Sequence, residues 1–165
     1  MKADRDDLVR PATADDGSGI LECLAQAFAP FRDQYSEGAY LDTVLTAESL
    51  RLRFQEMRIL VAQDQSGRVM GTIAYKVNGD EGHVRGMAIR PDYQGTGVAQ
   101  CLLERVKAEL KGAGCQRVTL DTTRPLERAI RFYEKNGFRP TGEKALYFGM
   151  ELIEYCKNLG VMAAG

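Results

Sequence analysis

Apolar positions along the chain switch between two periods, and the switches mark out the elements. Leu8-Val9-Arg10-Pro11 opens as a short strand. Thr13 followed by Asp16 resembles a capping box with aspartate in the glutamate place. Ile20, Leu21, Leu24, Ala27 and Phe28 then recur at helical spacing until Pro30 ends the run. Residues 31–40 are polar, aromatic and glycine-containing, and read as a loop. Residues 41–57 are ambiguous: Leu50, Leu52 and Phe54 alternate as in a strand, but the Arg, Glu and Gln content favours the helix adopted here. Ile59-Leu60-Val61-Ala62 is a strand, Ser66-Gly67 a turn, and residues 69–77 the next strand. Asn78-Gly79 is a hairpin signal, and residues 83–90 return as a strand, so three strands form an antiparallel meander.

The second half switches period again. Val98, Cys101, Leu102, Val106 and Leu110 share one helical face, stopped by Gly112 and Gly114. Residues 117–121 alternate as a strand, with Val118 and Leu120 on one side. Pro125 suits the first turn of a helix carrying Leu126, Ala129, Ile130 and Tyr133 on one face, and Asn136-Gly137 supplies a left-handed stop. Residues 145–153 read as a last strand, and residues 158–165 as a small, frayed end. The strand–helix–strand passage around residues 84–121 requires a right-handed crossover between parallel neighbours. The expected fold is α/β, with one domain over residues 1–165: a mixed, mostly antiparallel twisted sheet, helices on both faces, and one βαβ crossover.

Composition narrows the function. The 165 residues suit one core, and a hydrophobic content of 44% with 27% charged residues is that of an ordinary globular protein. A net charge of −1 gives no general attraction to nucleic acid or to an anionic membrane. Residues 1–7 lack the apolar segment of a secretory signal, and no run is long enough to span a bilayer. Cys23, Cys101, Cys115 and Cys156 form no Cys-x-x-Cys pair and His83 is the sole histidine, so neither a zinc site nor an activated cysteine is expected. Cys23 and Cys101 fall on apolar helical faces, as buried thiols do, and scattered thiols fit a reducing cytoplasm.

One stretch carries chemistry. An apolar strand leads through Pro91 into Gln94-Gly95-Thr96-Gly97-Val98-Ala99, and a helix leads out. Backbone N–H groups in a helix's first turn lack intrahelical partners, and the helix dipole favours negative charge, so this turn suits a pyrophosphate. It is no P-loop, because Val98 and Ala99 follow Gly97 where lysine and serine or threonine belong. It matches a dinucleotide fingerprint only in part, because Gln100 stands where glycine or alanine belongs.

The stretch resembles the Gln/Arg-x-x-Gly-x-Gly/Ala acyl-CoA signature of the GNAT superfamily of N-acetyltransferases, and residues 85–91 resemble the strand that carries it. Ala129-Ile130-Arg131-Phe132-Tyr133-Glu134-Lys135-Asn136-Gly137-Phe138 resembles that family's second recurrent segment, Ala-x-x-x-Tyr-Glu-Lys-x-Gly-Phe. The resemblance implies transfer of an acetyl group from acetyl-CoA, as co-substrate and without a metal, to a primary amine that attacks directly in a ternary complex. It implies that Gln94, Gly95, Thr96, Gly97, Val98 and Ala99 hold the pyrophosphate, and that main-chain groups of Met87, Ala88 and Ile89 meet the pantetheine arm. By the same resemblance the Met87 amide faces the developing oxyanion, Tyr133 protonates the leaving thiolate, and Glu81 or His83, or a water near them, takes the amine's proton. Leu126 stands where the family often has asparagine, so that cofactor contact is either lost or supplied by Thr122, Thr123 or the backbone.

The acceptor is a small-molecule or peptide amine, read in such folds by the early helices and their loop, where Arg32, Asp33 and Glu37 lie. Tyr147, Phe148, Met150 and Leu152 of the last strand either are internal or pair with a second copy in a homodimer. Two other classes stay open: a non-catalytic acyl-CoA-binding regulatory domain, and a nicotinamide-dependent oxidoreductase with Asp121 as its ribose-binding acid.

Overall fold

The computed structural model describes residues 8–160. The expectations for a leader at residues 1–7 and for residues 161–165 of the tail lie outside them. A short strand β1 (Val9–Pro11) precedes α1 (Gly17–Phe28), α2 (Glu37–Thr43) and α3 (Ala47–Glu56). The meander follows as β2 (Arg58–Gln63), β3 (Val69–Asn78) and β4 (Glu81–Ile89). Then come α4 (Val98–Gly112), β5 (Arg117–Thr122), α5 (Glu127–Lys135), β6 (Arg139–Tyr147) and β7 (Met150–Asn158). The seven strands form one sheet in the order β1-β2-β3-β4-β5-β7-β6. Every pairing is antiparallel except β4 with β5, where the crossover through α4 makes them parallel.

Alternation along the strands sends neighbours to opposite faces. Leu60, Ile73, Val84 and Leu120 pack with Leu102, Val106, Leu110, Tyr133 and Phe138 under α4 and α5. Val61, Ala74 and Ala88 pack with Ile20, Leu24 and Leu50 of α1 and α3 on the other face. The sheet is thus covered on both sides, as the sequence pattern requires.

Several local expectations are corrected. Residues 31–40 are not a loop. A 3₁₀ segment (Ala29–Gln34) continues the chain beyond α1, and Ser36 then caps α2, its Oγ accepting from Ala39 N at 3.3 Å. Residues 41–57 hold the end of α2 and all of α3 rather than one helix. Pro125 precedes α5 rather than starting it, because Leu126 is the N-cap. The last strand is two strands, reversing at Phe148 (φ 50°) and Gly149 (φ 81°). The end does not fray at Asn158: Asn158 pairs with Arg117, and Leu159 is buried and donates to Gln116 O at 2.9 Å.

Candidate active site

The parallel pairing of β4 with β5 runs only from Glu81↔Arg117 to Val84↔Leu120. Beyond it the strands part. Arg85 to Ile89 remain paired with β3 on one side only, while Asp121 and Thr122 pair only with β7. On β4 the register slips opposite Ile73, and Gly86 takes φ 66° at the slip. The extra residue bends the strand away from its parallel neighbour. Between the parted strands lies a cavity of about 710 Å³, of a size that suits a small-molecule ligand. His83, Met87, Ala88 and Ile89 line it from β4, Thr122 from β5, and Tyr133 from α5.

At one end stands the glycine turn. Gly95 (φ 79°) and Gly97 (φ 93°) hold left-handed angles, and Gly97 is the N-cap of α4. Cys101 is the first residue of α4 to bond back, to Gly97 O at 3.1 Å. Among the described residues, no backbone hydrogen bond uses the N–H groups of Gly95 to Gln100. Gln94 braces the turn from within, donating to Ile89 O at 3.2 Å, and Thr96 donates to Tyr93 O. Gly95, Gly97 and Ala99 reach the cavity, whereas Val98 is buried in the core and Thr96 lies on the exposed side. Those last two can serve the cavity only through their main chain. Arg128, which the motifs did not single out, bonds Gln94 Oε1 at 3.2 Å and places a guanidinium beside Gly95.

On the cavity wall His83 Nδ1 lies 2.9 Å from Thr119 Oγ1, and its Nε2 is 3.7 Å from Asp121 Oδ2. Burial lowers the imidazole's pKa against the pull of Asp121, so the ring is neutral near pH 7. Burial likewise raises Asp121. Tyr133 is buried against Phe132 and Phe138, with ring centroids 5.6 and 5.7 Å away, and burial pushes its phenol well above the usual range. It therefore stays protonated at neutral pH. Among the described residues, Thr122 Oγ1 is buried without a hydrogen-bond partner. It lines the cavity close in sequence to Leu126, while Thr123 is held by Tyr35 at 2.7 Å.

The geometry places two groups of candidate residues away from the cavity. Glu81 lies outside the cavity lining, at the paired end of β4, where it accepts from Arg117 at 2.9 Å. Arg32, Asp33 and Glu37 do not line it either, and Arg32 sits over the Tyr40 ring at 4.7 Å. Phe31, Tyr35, Asp42 and Thr43 reach the cavity from that segment instead. Cys23 is inert packing, its thiol raised to about 11 by burial, and Cys101 is only half-buried. Among the described residues, no group of three or more His, Cys, Asp or Glu could hold a metal ion, and no helix is long and apolar enough to cross a membrane.

Residues 21–138 match the family model described as the Acetyltransferase (GNAT) family. The chain belongs to that family, and with it to the acyl-CoA-dependent N-acetyltransferases. It is 33% identical over 112 residues to the uncharacterized protein YdhI of Bacillus subtilis, covering 64% of this chain and 69% of that one. It is 31% identical over 103 residues to the mycothiol acetyltransferase of Propionibacterium freudenreichii, spanning 57% of this chain but only 33% of that longer protein. In fold it is similar to the ribosomal-protein-S18-alanine N-acetyltransferase of Escherichia coli, with a TM-score of 0.76, 18% identity, and coverage of 95% and 96% of the two chains. It is also similar to the PaiA N-acetyltransferase of Thermoplasma acidophilum in complex with coenzyme A, with a TM-score of 0.77, 19% identity, and coverage of 91% and 97%. Asp121, which a nicotinamide reading needed for a ribose, stands beside His83 instead.

Proposed function

We propose that this chain transfers the acetyl group of acetyl-CoA to a primary amine by direct attack in a ternary complex. The observation that carries this reading is the wedge between β4 and β5. It opens at the unpaired N–H groups of the glycine turn and holds His83, Met87 and Tyr133 along one cavity.

The residues fit the coenzyme. The N–H groups of Gly95 to Gln100 face a diphosphate with the positive end of α4 behind them, and Arg128 adds a cation. The orphan hydroxyl of Thr122 is the polar partner that Leu126 does not supply to the pantetheine arm. Main-chain groups of Met87, Ala88 and Ile89, with no β5 partner, serve the arm's amides.

Neutral His83, steadied by Thr119, accepts the ammonium's proton directly or through one water. The freed nitrogen attacks the thioester carbon, and the Met87 amide stabilises the oxyanion that forms, a contribution of about 3 kcal/mol for one well-placed donor. As the C–N bond completes, the C–S bond breaks, the thiolate takes the Tyr133 proton, and the second proton on the attacking nitrogen passes through water to the Tyr133 oxygen, leaving a neutral amide and CoA thiol. Glu81, tied to Arg117 away from the cavity, has no part in this scheme.

The test is purified protein, acetyl-CoA and a mixed library of amines, read by mass spectrometry. Acetylated amine that appears only with protein and acetyl-CoA supports the reading. An acetyl-CoA-stabilised protein that acetylates nothing makes this a binding domain instead.

A further inference from the structure

Helix α3 carries an arginine in its apolar stripe. Leu50, Phe54 and Met57 pack toward the core, and Arg53 lies among them at 8% exposure. Its guanidinium reaches the cavity wall, where Nη1 would lie 2.9 Å from a Cβ placed on Gly86. Among the described residues, that guanidinium makes no hydrogen bond and no ion pair. Burial of the side chain depresses its pKa, while the guanidinium nitrogens face the cavity rather than dry protein.

The neighbours do not answer the charge. Among the described residues, Asp42 is the one carboxylate beside it on the cavity wall, and Asp42 is taken by the Arg85 guanidinium and by the Tyr147 hydroxyl. Glu56, on the same helix, forms no ion pair with it. Two guanidinia against one carboxylate leave a single positive charge open to the cavity. One such charge matches a carboxylate and falls short of a phosphate dianion. A guanidinium's planar fork is also the side chain best shaped for a carboxylate.

Position says whose carboxylate it is. Along β4 the glycine turn follows Ile89, whereas Gly86 precedes Met87. Arg53 therefore stands on the far side of Met87 from the phosphate-binding end, in the half walled by α2 and α3. Consecutive Cα atoms are about 3.8 Å apart, so an anion at Gly86 lies within a few bonds of a nitrogen attacking beside Met87.

We infer that Arg53 binds a carboxylate of the acceptor, so that the amine acetylated is an amino acid or an aminocarboxylate of like size. This rests on the acetyl-transfer reading above. The neutral and basic standard amino acids are each assayed beside the amine left by decarboxylation, with CoA release as the readout. Wild type favours the carboxylated member by about tenfold or more in kcat/KM, the scale of one charge-assisted hydrogen bond. Arg53→Gln brings that ratio to about one, and Arg53→Lys recovers part of it. Without ligand, Arg53→Met melts at or above wild type, because the guanidinium has no ion pair or hydrogen bond within the described residues to lose. A structural arginine would instead make that variant melt lower.

Wild type that uses the decarboxylated amines as well as their parents overturns the inference, as does a ratio unmoved in Arg53→Gln. If acetyl-CoA stabilises the protein but no amine is acetylated, calorimetry with the standard amino acids on CoA-saturated protein decides. Heat lost in Arg53→Gln sustains the carboxylate site, and no heat in wild type ends it. If acetyl-CoA itself does not bind, the acetyl-transfer reading fails first and takes this inference with it.

Discussion

The Nε2 atom of His83 stands 3.7 Å from Oδ2 of Asp121, across the two parallel strands and just where they part. Burial outweighs this carboxylate, so His83 gives up its proton more readily than a free histidine, whose pKa is about 6.5. With the folded pKa below the unfolded one, the unfolded chain binds the proton first as pH falls. Stability therefore declines with acidification through the ordinary histidine range and levels off below the folded value. Urea midpoints measured from pH 8 to pH 5 should fall less steeply in His83→Gln.

In the proposed scheme the same residue sets an acid limb in catalysis. The neutral ring is the base, so kcat/KM should fall only below about pH 6.5. His83→Gln should lower kcat/KM by roughly 10²–10⁴-fold and abolish that limb. An unchanged limb in the variant would remove His83 from the role.

Tyr133→Phe keeps the ring packing with Phe132 and Phe138 and deletes only the hydroxyl. Turnover should drop by roughly 10²–10⁴-fold. The rise in melting temperature that acetyl-CoA gives should remain. Full turnover in the variant would assign the thiolate's proton to another source.

Arg128→Ala should raise KM for acetyl-CoA by up to about tenfold, with kcat little changed, because the side chain is exposed. The difference from wild type should shrink at 1 M salt, where charges are screened within about 3 Å. An equal difference at both salt levels would mean that its charge is not what matters.

Gly86→Ala forces a side chain into φ 66° and against Arg53 Nη1. The backbone cost is about 1–2 kcal/mol. For a chain of this length that is a melting temperature lower by roughly 2–8 °C. Calorimetry checks it, and a variant as stable as wild type would mean that the bulge re-forms without strain.

Much of the frame was legible in the sequence because it rests on patterns of short range. The meander follows from alternation and Asn78-Gly79, and the crossover from the strand–glycine–helix order around residue 97. What was hidden depended on tertiary contact. The β6–β7 reversal puts Phe148 at a positive φ ahead of Gly149, where a hairpin ordinarily shows asparagine, aspartate or glycine, so Gly149 alone left only a weak mark. Helix α2 is short and capped by Ser36, too brief for its period to show. In the site, the glycine turn and Tyr133 carried motifs, whereas Arg128 and Thr122 acquire meaning only from what stands near them. Arg53 did leave a trace, as a cation at a position where Leu50, Phe54 and Met57 set an apolar stripe.

A sheet normally has two rims, and here the divergence of β4 from β5 cuts two more through its middle. Outer rims invite other chains to join and are guarded against it. These inner ones need no guard, because helices close over both faces and nothing as wide as another sheet can enter. A slender, flexible thread rich in amide groups matches both lips at once, so on the proposed reading the fold selects the shape of its visitor before any side chain takes part.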